Sequence, residues 1–579
     1  MHSLPKCNSL ATDTAGSPTA RNTIGSATRN SRWFTYYVTV LRSGLKGSVV
    51  FYDIQNRGSR CNRDERMPGL RERIPAMRAA LLLLLLHITL CVADTCSTLA
   101  KNTNIEVAYP LSLDYISEQQ EYWSSSCIAL KPSCILFPTS AAEVSVIIQT
   151  INQGDESFAI KSGGHNPNNY FSSVDGGPLI STARLNEAIL DSNTGVLRMG
   201  PGNRLDDIAA KLQGSGWTFV GGRIGNTGTG GLILGGGLSY MSAQYGWAAS
   251  SALEYEVVLA NGTIITASDT ENADLAKALR GGGNNFGIVT TYTLQTYRQG
   301  NIWGGNVIFL HDDKVASNLL RAVRDFTEYN TDDRAAVIVT AERSTGLVIP
   351  ELIDIELLDT WILFLFYDGP TPPADLFKNF TEAGVPILNL AKTRTYSELI
   401  GGSNWVVVKG SVVTIGTETI PMPSSQDSQT VMEGIHAHWR DVSAATLLEP
   451  GGIASIAYQP FPRSIARQAK ARAPDLIDAD EDADRLILEL NYSFIPQWDY
   501  TKMANTLEAT YTGIRERVSG WQEEGILSDV YLPVFMNYGF YRQDYWGRIR
   551  PESRAFAQQV SAKYDPDEFF KNRTGGWKP

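Results

Sequence analysis

Ten of the chain's 51 glycines fall within one stretch, GGRIGNTGTGGLILGGGLSYMSAQYG, residues 221–246. Glycine at that density means a backbone that turns through left-handed conformations or passes where no Cβ fits. Amides exposed in this way form a cradle for an anionic group. No strict G-x-G-x-x-G occurs between residues 155 and 290, and the strand–turn–helix setting of a nicotinamide fingerprint is missing with it. A second, shorter glycine turn, KSGGH at 161–165, ends on His165, one of only six histidines. A turn explains its glycines and leaves the histidine unexplained.

Two separated glycine loops suit a dinucleotide held in another way, and a flavin dinucleotide is the candidate. The surrounding pattern supports a folded lobe. CILFP reads as a strand, followed by a helix capped by Ser140, with Glu143 three residues on and Val144, Ile147, Ile148 and Ile151 on one face. SFAIK leads as a strand into the histidine turn. LEYEVVLANGTIITAS predicts a hairpin turning at Asn261-Gly262, and ENADLAKALRGGG a helix stopped by glycines. From about residue 304 to 530 strand-like runs (AAVIVTAER, TWILFLFYDG, SIAYQPF, RLILELNYSF) alternate with helices such as TKMANTLEATYTGIRERV. This predicts a second α+β lobe with a larger sheet, whose aromatic-rich face lines a substrate cavity.

The first 93 residues read differently. Residues 1–76 carry 12 Lys and Arg against 5 Asp and Glu, without a sustained hydrophobic period, and read as a disordered leader. MRAALLLLLLHITLCVADTC then shows a basic start, an apolar run and the small-residue site Cys91-Val92-Ala93, which is the layout of a secretory signal peptide over 77–93. That order places the start of translation at Met77 and the mature end near Asp94, in a secreted protein with no membrane span once the signal is removed. Cys96, Cys127 and Cys134 remain, and the expected bridge is Cys96–Cys134. Asn261, Asn379, Asn491 and Asn572 stand in N-x-S/T acceptors, Asn261 in the hairpin turn.

The formal net charge of −11 argues against a nucleic-acid partner, and 43% hydrophobic against 19% charged residues marks a globular chain. The acidic run DLIDADEDAD, 475–484, reads as a solvated loop. The HAH of 436–438 reads as two surface histidines, because i, i+2 residues share a side only on a strand and no Cys/His cluster accompanies them. No metal site is expected.

KSGGH, the 221–246 segment, ALRGGGNNFGIVT at 278–290 and the terminal KYDPDEFF occur in the order found in one family. Over residues 94–579 the chain resembles the FAD-linked oxidases of the vanillyl-alcohol oxidase type, in particular the berberine-bridge-enzyme-like group and its fungal members. The resemblance implies an α+β fold: a two-lobed FAD-binding (PCMH-type) domain over 94–303, a substrate-binding domain with a large antiparallel sheet over 304–530, and a C-terminal segment, 531–579, returning to the flavin. It implies FAD bonded covalently through His165. The cysteine that makes a second link in bicovalent members is replaced here by Ile224, so a single link is expected. Pro167 likewise occupies a position that is often aromatic in the family.

Further carry-overs follow the matching segments. Lys161, Ser162, Gly163, Gly164 and Asn166, with Gly225, Thr227, Gly228, Gly230 and Gly231, are expected to line the pyrophosphate and flavin. Val258 and Val289 (or Ile288) are expected near the adenine. FMNYGF places Asn537 beside the ring and makes Tyr538 the expected catalytic base, with Tyr458 and Tyr492 in reserve; a phenol with an ordinary pKa near 10 needs a cationic neighbour for that task. The implied activity is hydride removal from a small organic molecule, an alcohol or ring-closing intermediate of fungal secondary metabolism, with molecular oxygen as acceptor. An extracellular carbohydrate oxidase and a non-catalytic flavin-binding protein are the alternatives. Oligomeric state is not legible.

Overall fold

In the computed structural model residues 94–345 and 357–579 are described, and the leader and signal segment expected over 1–93 lie outside them. The first described segment is fixed early. A short helix, Thr95–Asn102, is tied by the Cys96–Cys134 disulfide to a buried strand, as expected. Four strands form the first sheet: β1 (Glu106–Ala108), β2 (Cys134–Phe137), β3 (Ala159–Lys161) and β4 (Pro178–Ser181), in the order β1-β2-β4-β3. Helix α1 (Ala141–Ile151) joins β2 to β3 and buries Val144, Ile147, Ile148 and Ile151. Its Ser140 cap accepts the Glu143 amide, while Glu143 reaches back to the Thr139 amide. β2 and β3 do not touch; β4 lies between them, parallel to both.

The second sheet is antiparallel. It contains β5 (Ala188–Asp191) and β6 (Val196–Met199); β7 (Trp217–Thr218) leaves it to pair elsewhere. The hairpin at Asn261-Gly262 forms as expected from β8 (Ala252–Val258) and β9 (Ile264–Ser268), with Gly262 at φ 81°. β10 (Ile288–Gln295) sits centrally in the order β5-β6-β10-β8-β9, and β11 (Tyr297–Arg298) pairs with β7. Between β6 and β8 run helix α2 (Leu205–Leu212), the glycine-rich segment and, within it, the short helix α3 (Thr229–Leu234).

Eight strands make the third sheet: β12 (Ile302–Leu310), β13 (Ala335–Thr345), β14 (Leu357–Tyr367), β15 (Leu388–Asn389), β16 (Lys392–Arg394), β17 (Val412–Pro421), β18 (Ile453–Phe461) and β19 (Arg485–Phe494). The order is β15-β12-β14-β13-β18-β19-β17, with β16 also on β12, and every pairing is antiparallel. Strand alternation sorts its side chains. Val337, Val339, Trp361, Tyr458, Leu488 and Tyr492 pack with apolar residues of helices α4 (Asp313–Tyr329), α5 (Ser428–Ser443) and α6 (Tyr500–Glu523). Ile338, Phe364, Phe366, Ala457 and Ile487 join the core of the glycine-rich lobe.

Three expectations change here. HAH lies on α5, and both histidines are buried: His436 Nδ1 faces the Tyr458 hydroxyl at 3.2 Å, and His438 Nε2 the Thr510 carbonyl at 3.1 Å. The acidic run is not simply solvated, since Asp475 and Asp484 are buried and Arg463, Arg485 and Arg550 pair with its carboxylates. Asn491 is half-buried within β19, between β18 and β17. Among the described residues no helix is long and apolar enough to cross a membrane.

Candidate functional site

The two glycine loops meet backbone to backbone. A Cβ on Gly163 would lie 2.5 Å from the Gly228 nitrogen, and one on Gly228 only 2.2 Å from the Gly163 nitrogen. Any side chain there would drive the loops apart, so both positions require glycine for the chain's own crossing. Gly231 differs: nothing lies within 4 Å of a Cβ built on it, and it borders a cavity of about 260 Å³.

That cavity gathers most of the expected residues. Ser162, Gly163, Gly164, His165, Asn166, Thr227, Gly228, Gly230, Gly231, Val289, Asn537 and Tyr538 line it, as does Ile224. Three do not. Lys161 is buried behind the histidine turn, its ammonium 2.5 Å from Glu118, which also accepts from Ser181 at 2.8 Å. Gly225 faces away, its amide donating to the Ile400 carbonyl at 3.1 Å. Val258 packs in the core under the first sheet with Ile288 and Phe570. Each supports the wall from outside, because polar charge and apolar bulk are both cheaper where they are paired or packed.

His165 packs against Trp123 with ring centroids 4.7 Å apart, and its Nε2 is buried without a hydrogen-bond partner. Burial, with the positive charge of Arg204 second, lowers its pKa to about 4, so at neutral pH the imidazole carries a free lone pair. The free thiol of Cys127 lies beneath this turn, 3.5 Å from the Pro167 carbonyl, with its pKa pushed up to about 12 by burial.

The C-terminal segment closes the other side. Asn537 accepts from the Gly237 amide at 3.0 Å and donates to the Gly231 and Leu232 carbonyls, each at 3.2 Å. Asn168, just past the histidine turn, donates to the Gly539 carbonyl at 2.9 Å and accepts from the Tyr541 amide at 3.1 Å. Trp577 adds an edge-on contact with Phe171 at 4.8 Å.

Tyr538 stands where the lobes meet. Its hydroxyl donates to Gln459 Oε1 at 3.3 Å, Gln459 Nε2 donates to Glu489 Oε2 at 3.0 Å, and Glu489 is ion-paired with Arg223. Asn491 Nδ2 holds the other Glu489 oxygen at 2.8 Å. Burial pushes the Tyr538 phenol up to about 12, the nearby Arg223 pulls it down, and Glu489 raises it. The guanidinium lies 5.7 Å from the phenol ring centroid, and burial outweighs its pull on the phenol. Sequence reading missed Arg223, Gln459 and Glu489. The signal was present as polar residues interrupting the apolar runs SIAYQPF and RLILELNYSF. Tyr458 and Tyr492, the reserve candidates, lie on the helix-facing side, while Phe364 and Phe366 are the sheet aromatics that face the glycine-rich lobe.

The residues present fit a flavin dinucleotide. A cavity floored by glycine backbone, an unpartnered neutral imidazole and an apolar wall from Ile224, Leu232 and Phe535 suit a phosphate-linked, largely flat ring system.

Comparisons with known proteins agree. An FAD binding domain model matches residues 132–268, which contain both glycine loops. An uncharacterized FAD-linked oxidoreductase of Arthroderma benhamiae is 41% identical over 482 residues, 82% of this chain and 92% of that protein. Two solved structures share the fold at low identity. 6-Hydroxy-D-nicotine oxidase from Arthrobacter nicotinovorans has a TM-score of 0.64 at 21% identity, covering 82% of this chain and 97% of its own. The berberine bridge enzyme of Eschscholzia californica has a TM-score of 0.62 at 18% identity, with the same two coverages, 82% and 97%.

Proposed function

The chain belongs to the FAD-linked oxidoreductases, and we propose that it is a secreted oxidase of small organic molecules that carries FAD on a single covalent link through His165. The observation that carries this reading is the buried, neutral, unpartnered His165 ring on the same cavity as Tyr538. A neutral imidazole is the nucleophilic form, and Ile224 offers no thiol for a second link. When bound, the flavin supplies two-electron oxidation of a substrate C–H bond and passes the electrons to molecular oxygen, giving hydrogen peroxide.

The protein's part is binding and proton management. Thr227, Gly228, Gly230 and Gly231 border the cofactor, and Asn537 locks the C-terminal segment onto that wall. Tyr538 takes the substrate proton, with Arg223 stabilising the phenolate and Gln459 fixing the hydroxyl's direction. The sheet beyond Gln459 and Glu489, within 304–530, selects the substrate, and 531–579 completes the flavin site of the 94–303 lobe. The Cys96–Cys134 disulfide supports an oxidising compartment. The substrate is an alcohol or ring-closing intermediate of fungal secondary metabolism.

Acid precipitation tests the link. Residues 94–579 are expressed through a secretory host, and flavin fluorescence is read in pellet and supernatant beside His165→Ala. Flavin stays with the wild-type pellet and leaves the variant; release from both would overturn the covalent link. A following screen with alcohols, amines and oligosaccharides, read by peroxide formation, separates the proposed substrates from sugars. A bound flavin that nothing reduces would point to a non-catalytic protein.

A further inference from the structure

The cavity-facing side of the third sheet carries a polar row that extends beyond the Tyr538–Gln459–Glu489 network. Register aligns Thr360 of β14 with Glu342 of β13, Glu342 with Ser455 of β18, Ser455 with Asn491 of β19, and Asn491 with Ile415 of β17. Ile415 lines the flavin cavity, so the row leads sideways from its wall. At about 4.8 Å per strand, Glu342 lies about 14 Å from Ile415 along the sheet.

Glu342 points to this side because its neighbours on β13 point the other way. Val339 and Ala341 pack among the helices, and Arg343 donates to the Arg440 carbonyl on α5 at 3.0 Å. Glu342 is half-buried, and among the described residues no cation or hydrogen-bond donor meets its carboxylate. Nearby, Asn491 Oδ1 and, one register step on, Ser493 Oγ are buried without partners. Glu489, the other carboxylate on this face, is already paired with Arg223, so Glu342 is the carboxyl of the patch that has no counter-ion among the described residues. Unsatisfied acceptors that recur on one sheet face, beside a cavity, call for a donor from outside the chain.

We propose that Glu342, with Ser455 and Asn491, forms a substrate subsite for a protonated amine, about 14 Å along the sheet from Ile415 on the flavin cavity. The inference rests on the flavin-site reading for the identity of the reacting end, and its own content is the cation preference of this face. An ammonium supplies both the charge for Glu342 and an N–H donor for an oxygen beside it, which a neutral hydroxyl does in part only.

The test uses two probes of one shape, benzyltrimethylammonium and its uncharged carbon isostere neopentylbenzene, with N-benzylmethylamine as the donor-bearing cation. Affinities are measured by calorimetry on wild-type protein, Glu342→Gln and Glu342→Ala. A charge-assisted contact gives a preference of about tenfold or more for the cations over the isostere. Both variants lose that preference and keep the isostere's affinity. Equal affinity of cation and isostere for the wild type, or a preference that survives both substitutions, overturns the subsite. Visible flavin absorbance is read on the same samples: its absence refutes the flavin site, while the calorimetric comparison still decides the cation preference.

Discussion

Arg223 and Glu489 pair across the junction of the glycine-rich segment and the large sheet, beside the ring of Tyr538. The pair joins two parts of the chain that share no strand, and its charges act on the buried phenol in opposite directions, Arg223 lowering its pKa and Glu489 raising it. Both side chains are nearly buried, at 14% and 8% exposure, so the attraction is little screened.

Removing one partner should therefore cost more than removing both. Glu489→Ala leaves a guanidinium buried without its carboxylate and is expected to destabilise the fold by about 3–5 kcal/mol. The double variant Arg223→Met/Glu489→Leu should recover much of that loss. Urea unfolding of the single and double variants checks it, and additive losses would show that the pair is not coupled.

Tyr538→Phe keeps the ring and removes the acid–base group. Flavin content and KM should stay near wild type, while the rate of flavin bleaching on anaerobic mixing with substrate falls by about 10²–10⁴. Since burial holds the phenol near 12, the wild-type rate should climb with pH through the alkaline range, and the variant's should not. An unchanged bleaching rate would remove Tyr538 from the chemistry.

Glu342 makes stability fall with rising pH. Burial lifts its carboxyl to about 7 from an ordinary 4.5, so between those values the folded state holds the proton that the unfolded state has lost. The penalty is absent below pH 4.5, grows toward pH 7 and is complete above it, at about 2 kcal/mol allowing for partial exposure. Glu342→Gln should be more stable than wild type at pH 8 and no more stable at pH 4, measured by chemical unfolding at both.

Of the four glycan acceptors, Asn261, Asn379 and Asn572 are exposed, whereas Asn491 is half-buried in β19 and gives its amide to Glu489. Glycopeptide mapping of protein made in a secretory host should find Asn491 bare. A glycan there would mean that β19 forms later than glycosylation or in another register.

Local signals were readable. Ser140 with Glu143, the Asn261-Gly262 hairpin and the Cys96–Cys134 bridge each depend on a few neighbouring residues or one pairing, and each formed. The histidine turn and the second glycine segment converge on one cavity because their backbones cross, and glycine spacing records that demand directly. What depended on side-chain direction was harder. Tyr458 and Gln459 are adjacent in sequence and point to opposite sides of a sheet, so the aromatic residue that drew attention faces helices and the glutamine faces Tyr538. Histidines 436 and 438 looked exposed because a polar pair on a presumed surface costs nothing; on α5 each is buried against its own hydrogen-bond partner.

The Asn537 clasp has a consequence for the order of events in the cell. The groups it joins, at 231–237 and 537, are separated by 300 residues, and Asn168 and Gly539 by 371. A ribosome has released everything between the partners before either clasp can shut. The wall that Asn537 closes is thus assembled from chain made at two widely separated times, and the large sheet between them is a loop tied off at its base.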